Sequence, residues 1–213
     1  MSKLRFHLTI SADGYAAGPD QSEDEPLGVG GESLHDWAFP LAAWREPHGR
    51  EGGEVNASTP VIEEMQADVG AGLMGRNMFG PVGGGDWGDG SWKGWWGENP
   101  PYHHPVFVLT HHPREPLEME GGTTFTFVTD GIESALGQAR EAAADKDVLL
   151  HGGASVARQY LKAGLIDEFE TSVVPLMLGG GERLLDDLGD LEIEQVRTIE
   201  APGVTHIKYR LLK

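Results

Sequence analysis

The chain has 213 residues, of which 39% are hydrophobic and 23% are charged, and it contains no cysteine. This composition is typical of a globular protein, and it excludes a disulfide framework and thiolate-bound metals. The formal net charge of −18 repels nucleic acid and anionic membranes, so we expect neither as a partner.

The N-terminal segment carries Lys3 and Arg5 but no long apolar run before a cleavage site. No stretch of the sequence approaches the roughly 18 apolar residues of a membrane span. We therefore expect a soluble protein of the cytoplasm, a compartment that fits the lack of cysteine. At this length we expect a single domain over residues 1–213.

In the first half of the chain, short regular elements alternate with two irregular segments. The regular elements are predicted as a strand over Leu4–Ile10, a helix from Thr59 to about Asp68, a strand over Ala71–Met74 and a helical turn through Phe79. Residues 17–56 and 81–105 are rich in Gly and Pro, which predicts irregular excursions from the domain.

The second half of the chain is more regular. It predicts helices over Ile132–Ala144 and Ala154–Ala163, and strands over Val106–Thr110, Thr123–Val128, Val148–Leu150, Ile166–Val174, Leu191–Ile199 and Val204–Leu212. Gly179 to Gly181 is predicted to form a turn before an acidic, helix-like stretch. Strands that alternate with helices predict an α/β fold with a mostly parallel central sheet covered on both faces, and the last two strands predict an antiparallel edge.

Three predicted turns follow strands and begin with glycine or a small polar residue, at residues 75–77, 110–112 and 152–155. In open α/β sheets, ligands bind at the carboxyl ends of parallel strands, where helix N-termini present unpaired N–H groups. Because Gly152 and Gly153 carry no Cβ, the backbone there can approach a pyrophosphate closely. The alternative is a tight turn that contacts no ligand.

Arg76 is the only Lys or Arg between Glu51 and Trp92 in this acidic chain. A guanidinium at a strand-to-helix turn suits a phosphate monoester, such as the 2′-phosphate that distinguishes NADP from NAD. The alternative is an ordinary surface ion pair.

A histidine pair and the tryptophans of the irregular segments are further candidates for contact with a ligand. His111 and His112 could contact the same phosphate or an adenine, and the alternative is an exposed loop. Adjacent histidines do not readily face one ion and no carboxylate lies at a ligand spacing, so we expect no metal. All six tryptophans lie between Trp37 and Trp96, which indicates either a wall for a flat ligand or rings that anchor the irregular segments.

Five segments in chain order resemble the dihydrofolate reductase-like superfamily, and most closely the branch that contains the reductase domain of the riboflavin-biosynthesis deaminase-reductase and its stand-alone relatives. They are Ser11–Gly18 (SADGYAAG), Met74–Phe79 (MGRNMF), Val106–His111 (VFVLTH), Leu150–Ala154 (LHGGA) and Val174–Gly181 (VPLMLGGG). The chain departs from the family at His151, where the family commonly has a longer glycine-rich run.

The resemblance implies a three-layer α/β/α fold with NADPH lying across the strand ends. The residues implied at the cofactor are Gly75, Arg76 and Asn77 for the phosphates, Thr110, His111 and His112 for the adenosine, Gly152, Gly153, Ala154 and Ser155 for the pyrophosphate, and Ala12 and Asp13 beside the nicotinamide.

The function implied is NADPH-dependent reduction of a conjugated C=N or C=O group in a small substrate that is pterin-like or ribitylamino-pyrimidine-like. The candidates for a general acid are Asp13 and Glu63, with Glu64 beside it. Two alternatives stay open, a non-catalytic nucleotide-binding module or sensor and a structural homodimer that has lost the site. The last strands offer an edge for a homodimer under any of these hypotheses.

Overall fold

The structure is a computed structural model that describes residues 2–83 and 85–213. Met1 and Gly84 lie outside the described residues, so the predicted irregular segment 81–105 is described except at Gly84.

The regular elements follow the predicted order. The helices are α1 (Ala42–Arg45), α2 (Thr59–Gln66), α3 (Arg76–Phe79), α4 (Ile132–Ala143) and α5 (Ala154–Lys162). The strands are β1 (Leu4–Ser11), β2 (Tyr15–Ala17), β3 (Val69–Gly75), β4 (Pro105–Leu109), β5 (Leu117–Glu118), β6 (Thr124–Val128), β7 (Asp147–Gly152), β8 (Glu168–Val174), β9 (Glu182–Arg183), β10 (Ile193–Ala201) and β11 (Val204–Leu211).

Nine strands form one sheet in the order β10-β11-β8-β1-β7-β3-β4-β6-β5. The six strands from β8 to β6 in this order run parallel, whereas the pairs β10–β11, β11–β8 and β5–β6 are antiparallel. The predicted α/β class, the mostly parallel sheet and the antiparallel C-terminal edge are therefore confirmed. One prediction was wrong, because the acidic stretch after Gly181 begins with β9, which pairs with β2, and forms no helix.

The larger apolar core lies between the sheet and the helices α4 and α5. β1 contributes Leu4, Phe6 and Ile10 to this core, α4 contributes Leu136 and α5 contributes Ala157. The apolar residues alternate along β1 because successive side chains of a strand point to opposite faces of the sheet. This face of the sheet is therefore apolar along β1, and the other face receives the polar side chains.

The opposite face carries a chain of polar side chains beneath α2. His7 Nε2 lies 2.5 Å from Ser172 Oγ, and Ser172 Oγ lies 2.6 Å from His206 Nδ1. His206 Nε2 in turn lies 2.8 Å from the hydroxyl of Ser58, the residue before α2. Ser172 and His206 are wholly buried, so these hydrogen bonds satisfy groups that water cannot reach.

The segment 81–105 is held to the sheet by its aromatic rings. Trp87, Trp92 and Trp96 pack against a buried cluster that includes Phe79 and Phe125. The indole N–H of Trp92 donates to the Phe79 carbonyl at 2.9 Å. These rings therefore anchor the segment, which is one of the two roles expected for them. Within the described residues, no helix has the length and apolar character that crossing a membrane requires.

Candidate functional site

The carboxyl ends of four adjacent parallel strands bring the predicted turns to one edge of the sheet. β1, β7, β3 and β4 are neighbours in that order, so the turns that follow them lie side by side. A Cβ added at Gly75 would lie 3.7 Å from the backbone N of Gly153, which places the turns after β3 and β7 in contact.

Gly75 and Gly152 each require glycine, for different reasons, whereas Gly153 leaves space open. At Gly75 a Cβ would lie 2.7 Å from Cγ2 of Val156, so glycine lets the end of β3 pack closely on α5. Gly152 has a φ of 129°, a conformation that side chains disfavour, and it is joined to Gly153 by a cis peptide bond. Gly153 has φ −80°, and no atom lies within 4 Å of a Cβ added there. Open space therefore borders the backbone of Gly153.

That open space lies at the N-terminus of α5, which Gly153 caps without any side-chain hydrogen bond. The first N–H groups of a helix have no partner inside the helix, and the helix dipole adds partial positive charge there. The turn formed by Gly152, Gly153, Ala154 and Ser155 can therefore accept an anionic group at its backbone.

Two arginines meet at one tryptophan near the turns after β3 and β4. The guanidinium carbon of Arg76 lies 4.0 Å from the ring centroid of Trp87, and that of Arg114 lies 5.0 Å from it. Arg76 donates to the carbonyls of Gly80 and Pro81. The Trp87 indole N–H donates to the His112 carbonyl at 2.9 Å, so segment 81–105 is tied to the turn after β4.

Neither guanidinium forms an ion pair with a carboxylate of the described residues. Arg76 Nε and Arg114 Nη1 are buried without an acceptor. Burial lowers the pKa of both arginines, and the neighbouring charge of Arg114 lowers that of Arg76 further. The sequence pointed to Arg76 and included Trp87 among the tryptophans that could form a wall for a ligand. It did not point to Arg114, although Arg114 is the second residue after His112 in the same turn.

The other residues predicted at the adenosine and phosphates lie at this edge but differ in exposure. Thr110 is buried, and its hydroxyl oxygen accepts a hydrogen bond from the His112 N–H at 3.1 Å, which closes the turn. His111 and Asn77 are exposed. The turn is thus a fixed backbone loop from which the side chain of His111 extends into solvent.

Asp13 joins two loops. Its carboxylate accepts hydrogen bonds from the Ser11 hydroxyl at 2.5 Å and from the N–H groups of Leu178 and Gly179 at 3.1 and 2.7 Å. The Ser11 hydroxyl and these N–H groups lower the pKa of Asp13 to about 2. The adjacent Ala12 N–H donates to the Leu176 carbonyl. A carboxylate that is ionised at neutral pH has no proton to give, which counts against Asp13 as the general acid.

The glutamates of α2 lie away from the strand-end turns. The C-terminal end of α2 lies at the opposite edge, because Arg5 near the start of β1 donates to the carbonyls of Glu64 and Met65. The Glu64 carboxylate pairs with Arg197 and Lys208. Glu63 is exposed, and its side chain forms no hydrogen bond within the described part of the chain. This geometry counts against Glu63 as well.

His151, immediately before the Gly152–Gly153 turn, occupies space that β3 leaves open. A Cβ at Gly72 would lie 2.5 Å from His151 Nε2, so the imidazole replaces a side chain on β3. The ring lies between Tyr102, at 4.6 Å, and His104, at 5.8 Å between centroids. Burial, with a contribution from His104, lowers the pKa of His151 to about 3, so the ring is neutral at pH 7.

No group of three or more His, Asp or Glu side chains in residues 2–83 and 85–213 is arranged to hold a metal ion. The arrangement at the strand ends is instead suited to an anion, since it combines backbone N–H groups, open space and two arginines that lack a carboxylate partner.

Comparison with known proteins gives one family over nearly the whole chain. The family described as the RibD C-terminal domain matches residues 2–207. The uncharacterized protein YyaP of Bacillus subtilis (strain 168) is 34% identical over 119 residues, which are 53% of this chain and 62% of that protein. The chain thus matches less than two thirds of that relative's length.

Two solved structures share the fold at low identity. A diaminohydroxyphosphoribosylaminopyrimidine deaminase/5-amino-6-(5-phosphoribosylamino)uracil reductase from Thermotoga maritima has a TM-score of 0.60 at 15% identity, over 99% of this chain and 57% of that one. Dihydrofolate reductase from Enterococcus faecalis, complexed with NADP(H), has a TM-score of 0.52 at 13% identity, over 99% and 97%. The resemblance predicted from the ordered motifs is thereby confirmed.

Proposed function

Because the chain belongs to the RibD C-terminal domain family, we propose that it is an NADPH-dependent oxidoreductase that reduces a conjugated C=N or C=O group of a small substrate. The substrate class we propose is pterin-like or ribitylamino-pyrimidine-like. The proposal is supported by the likeness to a uracil reductase and to a dihydrofolate reductase complexed with NADP(H).

The observation that carries the proposal is the open space at Gly153. It lies at an uncapped helix N-terminus and beside the Gly75 turn, so a pyrophosphate can contact backbone N–H groups there. In this proposal Gly75, Arg76 and Asn77 hold phosphate oxygens on one side. The adenosine lies along the turn made by Thr110, His111 and His112.

When bound, NADPH would supply the hydride. The protein orients the reacting groups and excludes water, which are the contributions that a cofactor enzyme makes. Ala12 and Asp13 border the edge where the nicotinamide would lie, and the hydrogen bonds of Asp13 fix that loop. The proton that completes the reduction comes from solvent at the mouth of the site in this proposal. Asp13 is held ionised, and Glu63 lies on α2, whose C-terminal end is at the opposite edge of the sheet.

Substitution Gly153→Val tests the proposal. The backbone angles at Gly153 suit any residue and its Cβ would meet no atom of the protein, so we expect the fold to be kept. The branched side chain would fill the space that the pyrophosphate needs. We therefore expect the Kd for NADPH to rise at least roughly tenfold, measured by tryptophan quenching.

The matched control is Gly137→Ala, on α4, where an added Cβ also meets no atom. This variant should bind NADPH as the wild type does. The proposal fails if Gly153→Val keeps the wild-type affinity for NADPH, or if the wild-type protein binds neither NADPH nor NADH.

A second candidate is a nucleotide-binding module or sensor without turnover. It is favoured by one observation, that neither candidate acid is placed as a proton donor at the strand ends. It predicts that the protein binds NADPH, but that the absorbance of the nicotinamide does not fall when a conjugated carbonyl or imine compound is added.

Under either candidate we propose a homodimer through the edge strand β10, where Ile193 and Val196 are exposed. Light scattering would detect it.

A further inference from the structure

We propose that the protein binds a small anion with two or more negative charges in a cavity at the edge of the sheet opposite the strand-end turns. The cavity has a volume of about 560 Å³ and is open to solvent. Six charged side chains line it, which are Lys3, Arg140, Asp167, Glu168, Arg210 and Lys213. The cofactor proposed above has no part in this site.

The topology of the fold gathers these side chains at one place. Lys3 precedes β1 and Glu168 begins β8, and these two parallel strands start at the same edge of the sheet. β11 is antiparallel to β8, so Arg210 near its end lies at that edge as well. α4 leads from the end of β6 to the start of β7, which is parallel to β1, so its last turn brings Arg140 there. Four separate segments therefore each supply a charge to the cavity.

Positive charge exceeds negative charge in the lining of the cavity. Four cationic side chains accompany two carboxylates there, although the whole chain has a formal net charge of −18. Glu168 lies 3.1 Å from the Lys3 ammonium. It also lies 3.5 Å from Arg210 and from Lys208, so one carboxylate is divided among three cations. A cleft with a surplus of one sign of charge concentrates ions of the opposite sign.

Arg140 has the most unused capacity to bind an anion. Its guanidinium lies 3.9 Å from the Asp167 carboxylate, and its side-chain N–H groups form no hydrogen bond to the described residues. Asp167 is already occupied by the Leu4 N–H at 2.8 Å and by the Lys213 ammonium at 2.5 Å. The planar fork of a guanidinium matches the oxygens of a phosphate or a carboxylate. An anion in the cavity would therefore supply acceptors that the protein does not give to Arg140.

The charge and size of the cavity define the class of ligand. The four cationic side chains are 42–50% exposed, so water screens each of them and a univalent ion would gain little. An anion with several charges can contact Lys3, Arg140 and Arg210 at once. The volume is within the range of small-molecule sites, about 300–1,000 Å³, so it accommodates a molecule with two or three phosphate or carboxylate groups.

Isothermal titration calorimetry tests the site with two probes, inorganic pyrophosphate and citrate, at constant ionic strength. We expect the wild type to bind at least one of them with a Kd below about 1 mM. Arg140→Gln removes a charged donor at a partly exposed place and should raise this Kd roughly five- to tenfold. The tighter of the two probes identifies whether the site takes phosphate or carboxylate groups.

The matched control is Arg183→Gln on β9. Arg183 is 43% exposed, close to the value for Arg140, and it pairs with Asp186 at 2.9 Å outside the cavity. Its loss changes the net charge by the same amount, so the Kd should stay within about twofold of the wild type. Circular dichroism establishes that each variant is folded.

A second variant, Glu194→Gln, should change the affinity in the opposite direction. Glu194 is exposed and pairs with Arg210 at 3.2 Å. Its replacement removes a competing negative charge and releases Arg210, so we expect the Kd to fall by about two- to fivefold. A variant that only damaged the fold would not bind more tightly.

Three results overturn the proposal. They are a wild type that binds neither probe with a Kd below about 1 mM, an unchanged Kd in folded Arg140→Gln, and an equal loss of affinity in Arg183→Gln. Pyrophosphate binding that is lost in Gly153→Val but kept in Arg140→Gln would place the probe at the strand-end turns and also overturn it. Failure of the proposed function looks different, because NADPH would then not bind while the probes still depend on Arg140.

Discussion

At the scale of single residues, Asp13 shows how one carboxylate can fix a loop. It binds the N–H groups of Leu178 and Gly179, which lie far from it in the chain. In Asp13→Asn, an NH₂ group replaces one of the two carboxylate oxygens. One of the two backbone N–H groups would then face another donor and lose its acceptor. We expect the amides of Leu178 and Gly179 to exchange hydrogen faster, which hydrogen-exchange mass spectrometry would detect.

The same contacts predict that the protection of this loop from hydrogen exchange depends on pH. The pKa of Asp13 is lowered from 3.8 to about 2, so its stabilising effect is present above pH 3.8 and is lost as the pH falls toward 2. Ser11→Ala, which removes the first of these hydrogen bonds, should move the loss of protection to higher pH. Unchanged exchange in Asp13→Asn would show that other contacts hold the loop.

Some of the site could be read from the sequence and some could not. Arg76, Gly152 and Gly153 could be predicted because they lie at the ends of predicted strands and are residue types that suit a phosphate. The positions of Arg114 and His151 depend on side-chain directions that no local pattern encodes. His151 depends on Gly72 of a neighbouring strand, so its burial is a property of the sheet and not of its own segment.

At the scale of elements, α2 is fastened to the sheet through its backbone. The Arg5 guanidinium donates to the carbonyls of Glu64, Met65 and Ala67, and its Nε lies 3.0 Å from the Asp147 carboxylate. It therefore satisfies carbonyls that a helix C-terminus leaves without partners.

Arg5→Gln should loosen α2. It leaves Asp147 and the last carbonyls of the helix without a charged donor, in a place where the Arg5 side chain is 13% exposed. We expect the free energy of unfolding to fall by about 2–3 kcal/mol, measured by urea denaturation. Arg45→Gln removes a partly exposed arginine that also binds carbonyls, and it should cost less than about 1 kcal/mol. Equal losses in the two variants would refute the role of Arg5.

The longer elements were predicted to within a few residues because their apolar spacing is regular. For example, α4 was predicted over Ile132–Ala144 and spans Ile132–Ala143. β2, β5 and β9 were missed, since strands of two or three residues have no periodicity to read. They exist because a neighbouring strand is present to pair with them.

At the scale of the whole molecule, buried imidazoles predict sensitivity to acid. Burial lowers the pKa of His7 and His151 from 6.5 to about 3, and that of His206 to about 4. The unfolded chain therefore binds protons below pH 6.5 that the folded protein does not. Stability is fully present above pH 6.5 and is lost as the pH falls, toward 4 for His206 and toward 3 for His7 and His151.

Each of these groups contributes a loss of up to about 1.4 kcal/mol per pH unit. Urea midpoints measured from pH 7.5 to 4.5 should fall steadily, and His206→Gln should reduce the slope while lowering stability at pH 7.5. His48→Gln, at an exposed histidine, should leave the slope as it is. A flat profile in the wild type would mean that these imidazoles are protonated in the folded state.

The order of strands could not be derived from the alternation of elements. The pattern indicates parallel strands and helices, but many strand orders satisfy it, so the order is known only from the structure. The antiparallel edge was easier to predict, because Leu191–Ile199 and Val204–Leu212 are joined by a short turn, so their pairing is local.

The placement of β1 between β7 and β8 determines when the protein can fold during its synthesis. Leu4 pairs with Val148, and Arg5 pairs with Glu168, so β1 is made more than a hundred residues before either of its partners. At about 5–20 residues per second, a ribosome takes roughly seven to thirty seconds to reach them. During that time the nascent LRFHLTI strand has neither of its partners, so we expect it to be available to a chaperone that binds short apolar segments.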